Sequence, residues 1–225
     1  MNFESGDKLS IEKISNHMPN TIRAFKRDSV TTYEEFIDLL YESMDEAIDK
    51  LERNPQYYIN DDEDKLTYSI ATLLQQIGYN ARHGHKNGGN IDLFVEHSKS
   101  EWSWCGEAKI FNQIDNINEA FLQLTTRYRN NSVEYNQRGI LIYIKKQDAS
   151  KYLGQWRNML FDKDGVEILE DERKKLFAFF SEHKDNSSGV MMKIRHRGIC
   201  LYHLPEDKSG RSAKKYQKVR ESISE

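Results

Sequence analysis

Four side chains in this sequence have the types and spacing to work on a phosphate ester: Asp92 in NIDLFVEH, Glu107 and Lys109 in EWSWCGEAKIF, and Glu63 in NDDEDKLTYSI. Strand side chains alternate faces, so Glu107 and Lys109 share one. A hairpin centred between Lys99 and Ser100 pairs residues whose numbers add to 199. Asp92 then falls opposite Glu107 on the same face. Two carboxylates side by side repel unless positive charge lies between them. Hard oxygen ligands suit Mg²⁺, with Mn²⁺ as a substitute. Such an ion polarises a phosphoryl oxygen and lowers the pKa of a bound water. Lys109 would position or activate that water, or stabilise charge on the phosphate. Singly, each residue has an ordinary role: a lysine snorkelling at a strand end, an exposed ion pair, a helix-start acid. Together, and in this order, they indicate a site.

The elements that must carry them are legible as periodic patterns. Thr32, with Glu35 three residues on, reads as a capping box opening a helix through Phe36, Leu40, Met44, Ile48 and Leu51. Asn54-Pro55 ends it. A second helix runs from an Asn60 or Asp61 cap to Gly78. It turns Leu66, Ile70, Leu73 and Ile77 inward, and Glu63 extends that face while Asp62 lies close in angle. YNARHGH, NIDLFVEH and EWSWCGEAKIF read as strands, and a helix follows over about 117–129. RGILIYIKK reads as a strand buried on both faces. Two more helices are expected around 151–161 and 169–183, and GVMMKIRHRGICLYHL reads as two short strands. The alternation implies an α/β core with a mixed sheet.

Glu63 on a helix, then IDLFV with Asp92, then GEAKI with Glu107 and Lys109, resembles the PD-(D/E)xK phosphodiesterase superfamily, the restriction-endonuclease-like nucleases. The resemblance covers roughly residues 60–146. Ile91 stands where the family name has proline. Many members carry a Gln on the next helix, and FLQLTTRY supplies Gln123, with Arg127 in place of a Tyr four residues on. The resemblance implies an α/β fold with a restriction-endonuclease-like core over 57–147, its mixed central sheet flanked by helices. Residues 1–56 would be an N-terminal helical extension. Residues 148–205 would be a C-terminal α+β addition of helices and short strands packed on the core, and 206–225 a basic tail. It further implies a Mg²⁺-dependent endonuclease that hydrolyses DNA, of the kind used in bacterial or phage defence and restriction, with RNA left open. Asp92, Glu107, Lys109, Glu63 and Gln123 would be catalytic. Asp92, Glu107, Glu63 and the Ala108 carbonyl would hold the metal. The alternative is a catalytically silent nuclease-fold binding or scaffold protein within a nucleic-acid-processing complex.

Net charge is −3, yet Lys193 to Arg220 holds nine Lys/Arg against Glu206 and Asp207. Such a run is either a solvated tail or a phosphate-contacting stripe. Arg195 and Arg197 alternate onto one strand face, and Lys214 and Lys215 follow. With Arg127, Lys86 and His85 they are the expected nucleic-acid contacts. A homodimer or a companion regulatory protein is a further expected partner. No stretch approaches a membrane span, no signal-peptide core is visible, and Cys105 and Cys200 lack metal spacing, which together suggest a cytoplasmic protein. His83 and His85 with His97 or Cys105 could suggest zinc, but no second ligand pair has zinc-type spacing. The phosphate loop of an ATPase is absent.

Overall fold

The computed structural model describes residues 19–86, 90–98, 101–127, 136–171, 173, 175–185, 188–207, 209–210 and 213–216. Helix α1 spans Pro19–Asp28. Helix α2 spans Tyr33–Glu52, with Thr32 as N-cap accepting from the Glu35 N–H. Glu35 completes the turn by accepting from Thr31. Helix α3 spans Glu63–Gln76, and its N-cap is Asp62, where Asn60 or Asp61 was expected.

Strands β1 (Asn80–Lys86), β2 (Asn90–Glu96) and β3 (Ser103–Ile110) form an antiparallel meander. Helix α4 (Ile114–Thr126) then leads to β4 (Gln137–Ile144), which lies parallel to β3. Helix α5 spans Ala149–Phe161. Three strands follow: β5 (Val166–Glu170), β6 (Ala178–Lys184) and β7 (Met191–Cys200). The helix expected over 169–183 is therefore strand on both flanks of a turn. The two short strands expected after it are one long strand.

All seven strands join one mixed sheet, in the order β1-β2-β3-β4-β7-β6-β5. β7 inserts beside β4 in parallel, so the C-terminal strands extend the same sheet and are not an addition packed on it. Helices α2 and α3 cover one face, with Phe36, Leu40, Met44, Leu66 and Ile70 meeting Leu93, Val95, Leu141 and Tyr143. The expected N-terminal extension thus supplies core. Helices α4 and α5 cover the other face, with Phe121, Leu124 and Trp156 against Ile140, Ile142 and Ile194. Burial of apolar faces on both sides is what makes β4 almost continuously hydrophobic.

Trp104 of β3 fixes how the sheet and α2 meet. Its indole lies across Gly106 and Gly139, where any added Cβ would run into it. Its Nε1 donates to the Tyr41 hydroxyl (3.1 Å), which donates to the Arg138 carbonyl (3.2 Å). Among the described residues, no helix is long and apolar enough to cross a membrane.

Candidate active site

The expected hairpin register is the observed one: Leu93–Gly106, Phe94–Cys105, Val95–Trp104 and Glu96–Ser103 each add to 199. The ladder ends at Leu93–Gly106, one residue short of Asp92 and Glu107. Ile91 lies in the α4/α5 core and Leu93 in the α2/α3 core. Residues two apart on a regular strand share a face, so β2 turns over at Asp92. Gly84, between the β1 partners of Ile91 and Leu93, has φ of 70°, a conformation suited to glycine. Where the strands part, the Ala108 N–H donates to Asp92 Oδ2 at 2.9 Å instead of to a ladder carbonyl.

Lys109 stands at this opening. Its Nζ is 2.8 Å from Glu63 Oε1, 2.8 Å from the Ala108 carbonyl and 3.4 Å from Asp92 Oδ2. Glu63 Oε2 accepts from the Ile110 N–H at 2.9 Å. Burial opposes the charge on Lys109, but the Glu63 hydrogen bond and the nearby Asp92, Glu63 and Glu107 carboxylates outweigh it and hold the pKa above the ordinary lysine value. Lys109 is therefore an ammonium and a donor at neutral pH, and not a base. Glu107 is 1% exposed. Burial pushes the thiol of its neighbour Cys105 up to about 11, with Arg138 opposing and Glu107 adding to the rise.

Glu63, and not Asp62, reaches the cluster, because Asp62 is committed to capping the Lys65 N–H. Both Glu63 oxygens are engaged, one by Lys109 and one by Ile110, which makes it a positioning residue more than a free ligand. Two residues not singled out in the sequence support it. Thr67 Oγ1 donates to the Glu63 carbonyl (2.8 Å) and lies 3.0 Å from the Tyr143 hydroxyl. Burial raises the Tyr143 pKa, with Thr67 opposing and Glu63 and Asp92 adding to it. The only sequence signal was the placing of Thr67 one helical turn after Glu63.

The remaining expected residues divide. Gln123 is half-buried on α4, and no hydrogen bond among the described residues joins its side-chain amide to Glu63, Asp92 or Lys109. Arg127 caps the same helix and is exposed, as is Lys86 at the end of β1. His85 stacks on Phe94 at 4.3 Å, and His83 lies 3.4 Å from Asp64. His97 Nε2 meets the Arg27 carbonyl. Each of these histidines has a separate partner, and among the described residues they form no zinc cluster.

Arg195 and Arg197 are a correction. They share a strand face, but α2 covers it, and they are 2% and 3% exposed. Arg195 pairs with Asp45 (2.8 Å) and Asp171 (2.6 Å), and Arg197 with Asp45 (3.3 Å) and Glu52 (3.0 Å). Committed inside the protein, they cannot take phosphates. Lys214 is exposed in a short 3-10 turn, and nothing is described of the Lys215 side chain. Lys208, Arg211, Lys218 and Arg220 lie outside the described residues.

A metal fits part of this set. Glu63 Oε1, Asp92 Oδ2 and the Ala108 carbonyl all aim at one ammonium, so the oxygens already converge on a cation. Among the described residues no group of three or more His, Cys, Asp or Glu side chains is arranged to hold an ion. Asp92 and the Ala108 carbonyl are the oxygens here that would offer Mg²⁺ protein ligands, and Mg²⁺ keeps several waters. No family model, curated protein or solved structure matches this chain.

Proposed function

We propose that this chain is a metal-dependent phosphodiesterase that cleaves DNA internally, of the restriction-endonuclease-like kind. The observation that carries the reading is the opening between β2 and β3. There Asp92, Lys109 and Glu63 meet within hydrogen-bond reach around the Ala108 peptide. The succession α3-β1-β2-β3-α4-β4 supports it as the scaffold expected of that superfamily.

Asp92, Glu107 and the Ala108 carbonyl would hold Mg²⁺, whose chemistry when bound is to polarise a phosphoryl oxygen and lower the pKa of a water. Lys109 would donate to a phosphoryl oxygen as negative charge builds on it in the transition state, through an N–H released from Asp92, the longest of its three contacts at 3.4 Å. Glu63 keeps the ammonium charged and aimed. Its second oxygen pins the Ile110 N–H, so α3 and the end of β3 move as one body. Preorganisation of this sort removes the cost of orienting a flexible lysine at the moment of reaction. The irregularity of β2 at Asp92 brings its Oδ2 to the Ala108 N–H and Lys109. A role in bacterial or phage defence belongs to this proposal by analogy with the superfamily.

The test is supercoiled plasmid incubated with protein and Mg²⁺, Mn²⁺ or EDTA. Metal-dependent nicking that disappears in Lys109→Ala and Asp92→Ala supports the assignment. Nicking that survives both substitutions removes it. A wild-type protein that binds DNA but never cuts it, with either metal, favours the silent binding protein instead.

A further inference from the structure

The site is flanked by opposite charges. On one side the start of α3 presents Asp61, Asp62, Glu63 and Asp64. On the other, the β4–α5 connection carries Lys145 and Lys146, and the first turn of α5 adds Lys151 and Tyr152. β3 and β4 are parallel, with Lys109 level with Ile142 and the Phe111 N–H bonded to the Tyr143 carbonyl. The lysines therefore begin only a few residues beyond the catalytic level, roughly 10 Å at strand rise.

This cluster is built. Phe111, 3% exposed, packs on Tyr152 with ring centroids 4.8 Å apart. Lys146 Nζ stands 5.9 Å from the Phe111 ring and 5.6 Å from Tyr152, and donates to the Asn112 carbonyl at 2.8 Å. Lys151 Nζ stands 5.8 Å from the Tyr152 ring. The rings thus fix where both ammonium groups stand. Lys146 and Lys151 are exposed. Asp148, the one acid in the connection, is turned in on the α5 cap, where it accepts from Ser150 and the Lys151 N–H. Lys145 is spent differently: its Nζ donates to the Asp61 carbonyl and bridges the two sides.

We propose that Lys146 and Lys151 grip the phosphate backbone of nucleic acid and deliver the strand to Asp92 and Lys109. The carboxylates at the start of α3 repel a polyanion, so the backbone passes on the lysine side. This inference rests on the nuclease reading. It assigns substrate contact to a surface unlike the strand arginines, which are buried.

The test is fluorescence anisotropy of a labelled DNA duplex in EDTA, titrated over a range of salt, with plasmid nicking measured separately. The wild type is compared with Lys146→Ala/Lys151→Ala and with Lys50→Ala, an exposed lysine on α2. Loss of two phosphate contacts flattens the log–log salt slope by about 1.8. Lys50→Ala leaves it unchanged. An unaltered slope in a double variant with wild-type circular dichroism overturns the grip, even if nicking by the wild type upholds the nuclease. A flattened slope with a wild type that never nicks keeps the grip and overturns the nuclease.

Discussion

Lys109 and Glu63 are joined by a 2.8 Å ion pair between the end of one strand and the first residue of a helix 46 positions earlier. The same carboxylate also holds the Ile110 N–H. One side chain thus sets both the charge of the lysine and the position of the strand that bears it.

Separating these two roles gives the first prediction. Lys109→Ala removes the proposed transition-state donor and is expected to lower turnover by about 10²–10³-fold with little change in DNA affinity. Glu63→Gln keeps an acceptor for Ile110 but loses the charge. Single-turnover cleavage should show a smaller loss, with the circular dichroism of the wild type. Glu63→Ala should in addition destabilise the fold by about 1–3 kcal/mol, read from urea unfolding, because a partly buried N–H loses its acceptor.

His196 predicts how stability depends on pH. It is buried between Trp156, whose Nε1 donates to Nδ1 at 3.0 Å, and Ser181, 2.8 Å from Nε2. Burial, with a smaller contribution from His183, pulls its pKa down to about 3. The unfolded chain therefore binds a proton near pH 6.5 that the folded chain refuses. Stability is full above that pH and falls as pH drops from about 6.5 toward 3, by up to about 1.4 kcal/mol per pH unit. His183, also lowered, by burial first and then by Arg138, adds to the slope. Urea midpoints at pH 7, 6 and 5 should show the decline, and His196→Gln should flatten it while costing stability at pH 7. An equal slope in that variant would assign the decline to other groups.

Asp148 predicts a local sensitivity. It adopts φ of 61° and ψ of 63° while capping α5 through the Lys151 N–H. Aspartate tolerates this conformation better than a β-branched or bulky residue. Asp148→Ala should cost about 1–2 kcal/mol from the lost cap. Asp148→Asn should cost less than half of that, because it keeps both the acceptor and the conformational tolerance. Thermal melts of the two variants decide it.

Arg195 predicts a dissociation of stability from binding. Removing one partner of a buried ion cluster leaves carboxylates uncompensated. Arg195→Ala is expected to cost about 3–5 kcal/mol. Under conditions where the variant remains folded, its DNA salt slope should equal that of the wild type. A flatter slope would mean that this arginine reaches phosphate after all.

The sequence made the site more legible than the surface around it. The register of β2 against β3 from Leu93–Gly106 to Glu96–Ser103 followed from strand alternation and a short connection, both local properties, whereas the break at Asp92, where the pairing with Glu107 was expected, did not. The reach of Glu63 followed from helical spacing. Arg195 was misread because its counter-charges, Asp45 and Asp171, lie 150 and 24 residues away, and local charge runs carry no sign of such partners. The helix expected over 169–183 reflects the helix-favouring Glu, Lys and Leu of LEDERKKLFAFF. What overrides that preference is pairing of β6 with β7, on which Phe180 meets Arg195 and Phe179 meets His196. The lysine and aromatic cluster at the start of α5 escaped notice because Phe111 and Tyr152 are 41 positions apart and meet only once β4 lies beside β3.

The insertion of β7 beside β4 has a consequence for how the protein is made. The side chains that meet at the candidate site, Glu63, Asp92 and Lys109, all lie before position 110, yet the strand that shields the flank of β4 is the last of the sheet to emerge from the ribosome. Until it does, β4 presents an unpaired apolar edge, the kind of surface that templates association between chains. A chain cut after β4 should therefore accumulate as aggregate and not as a miniature enzyme. Synthesis itself would withhold the fully paired sheet around the proposed site until β7 has emerged.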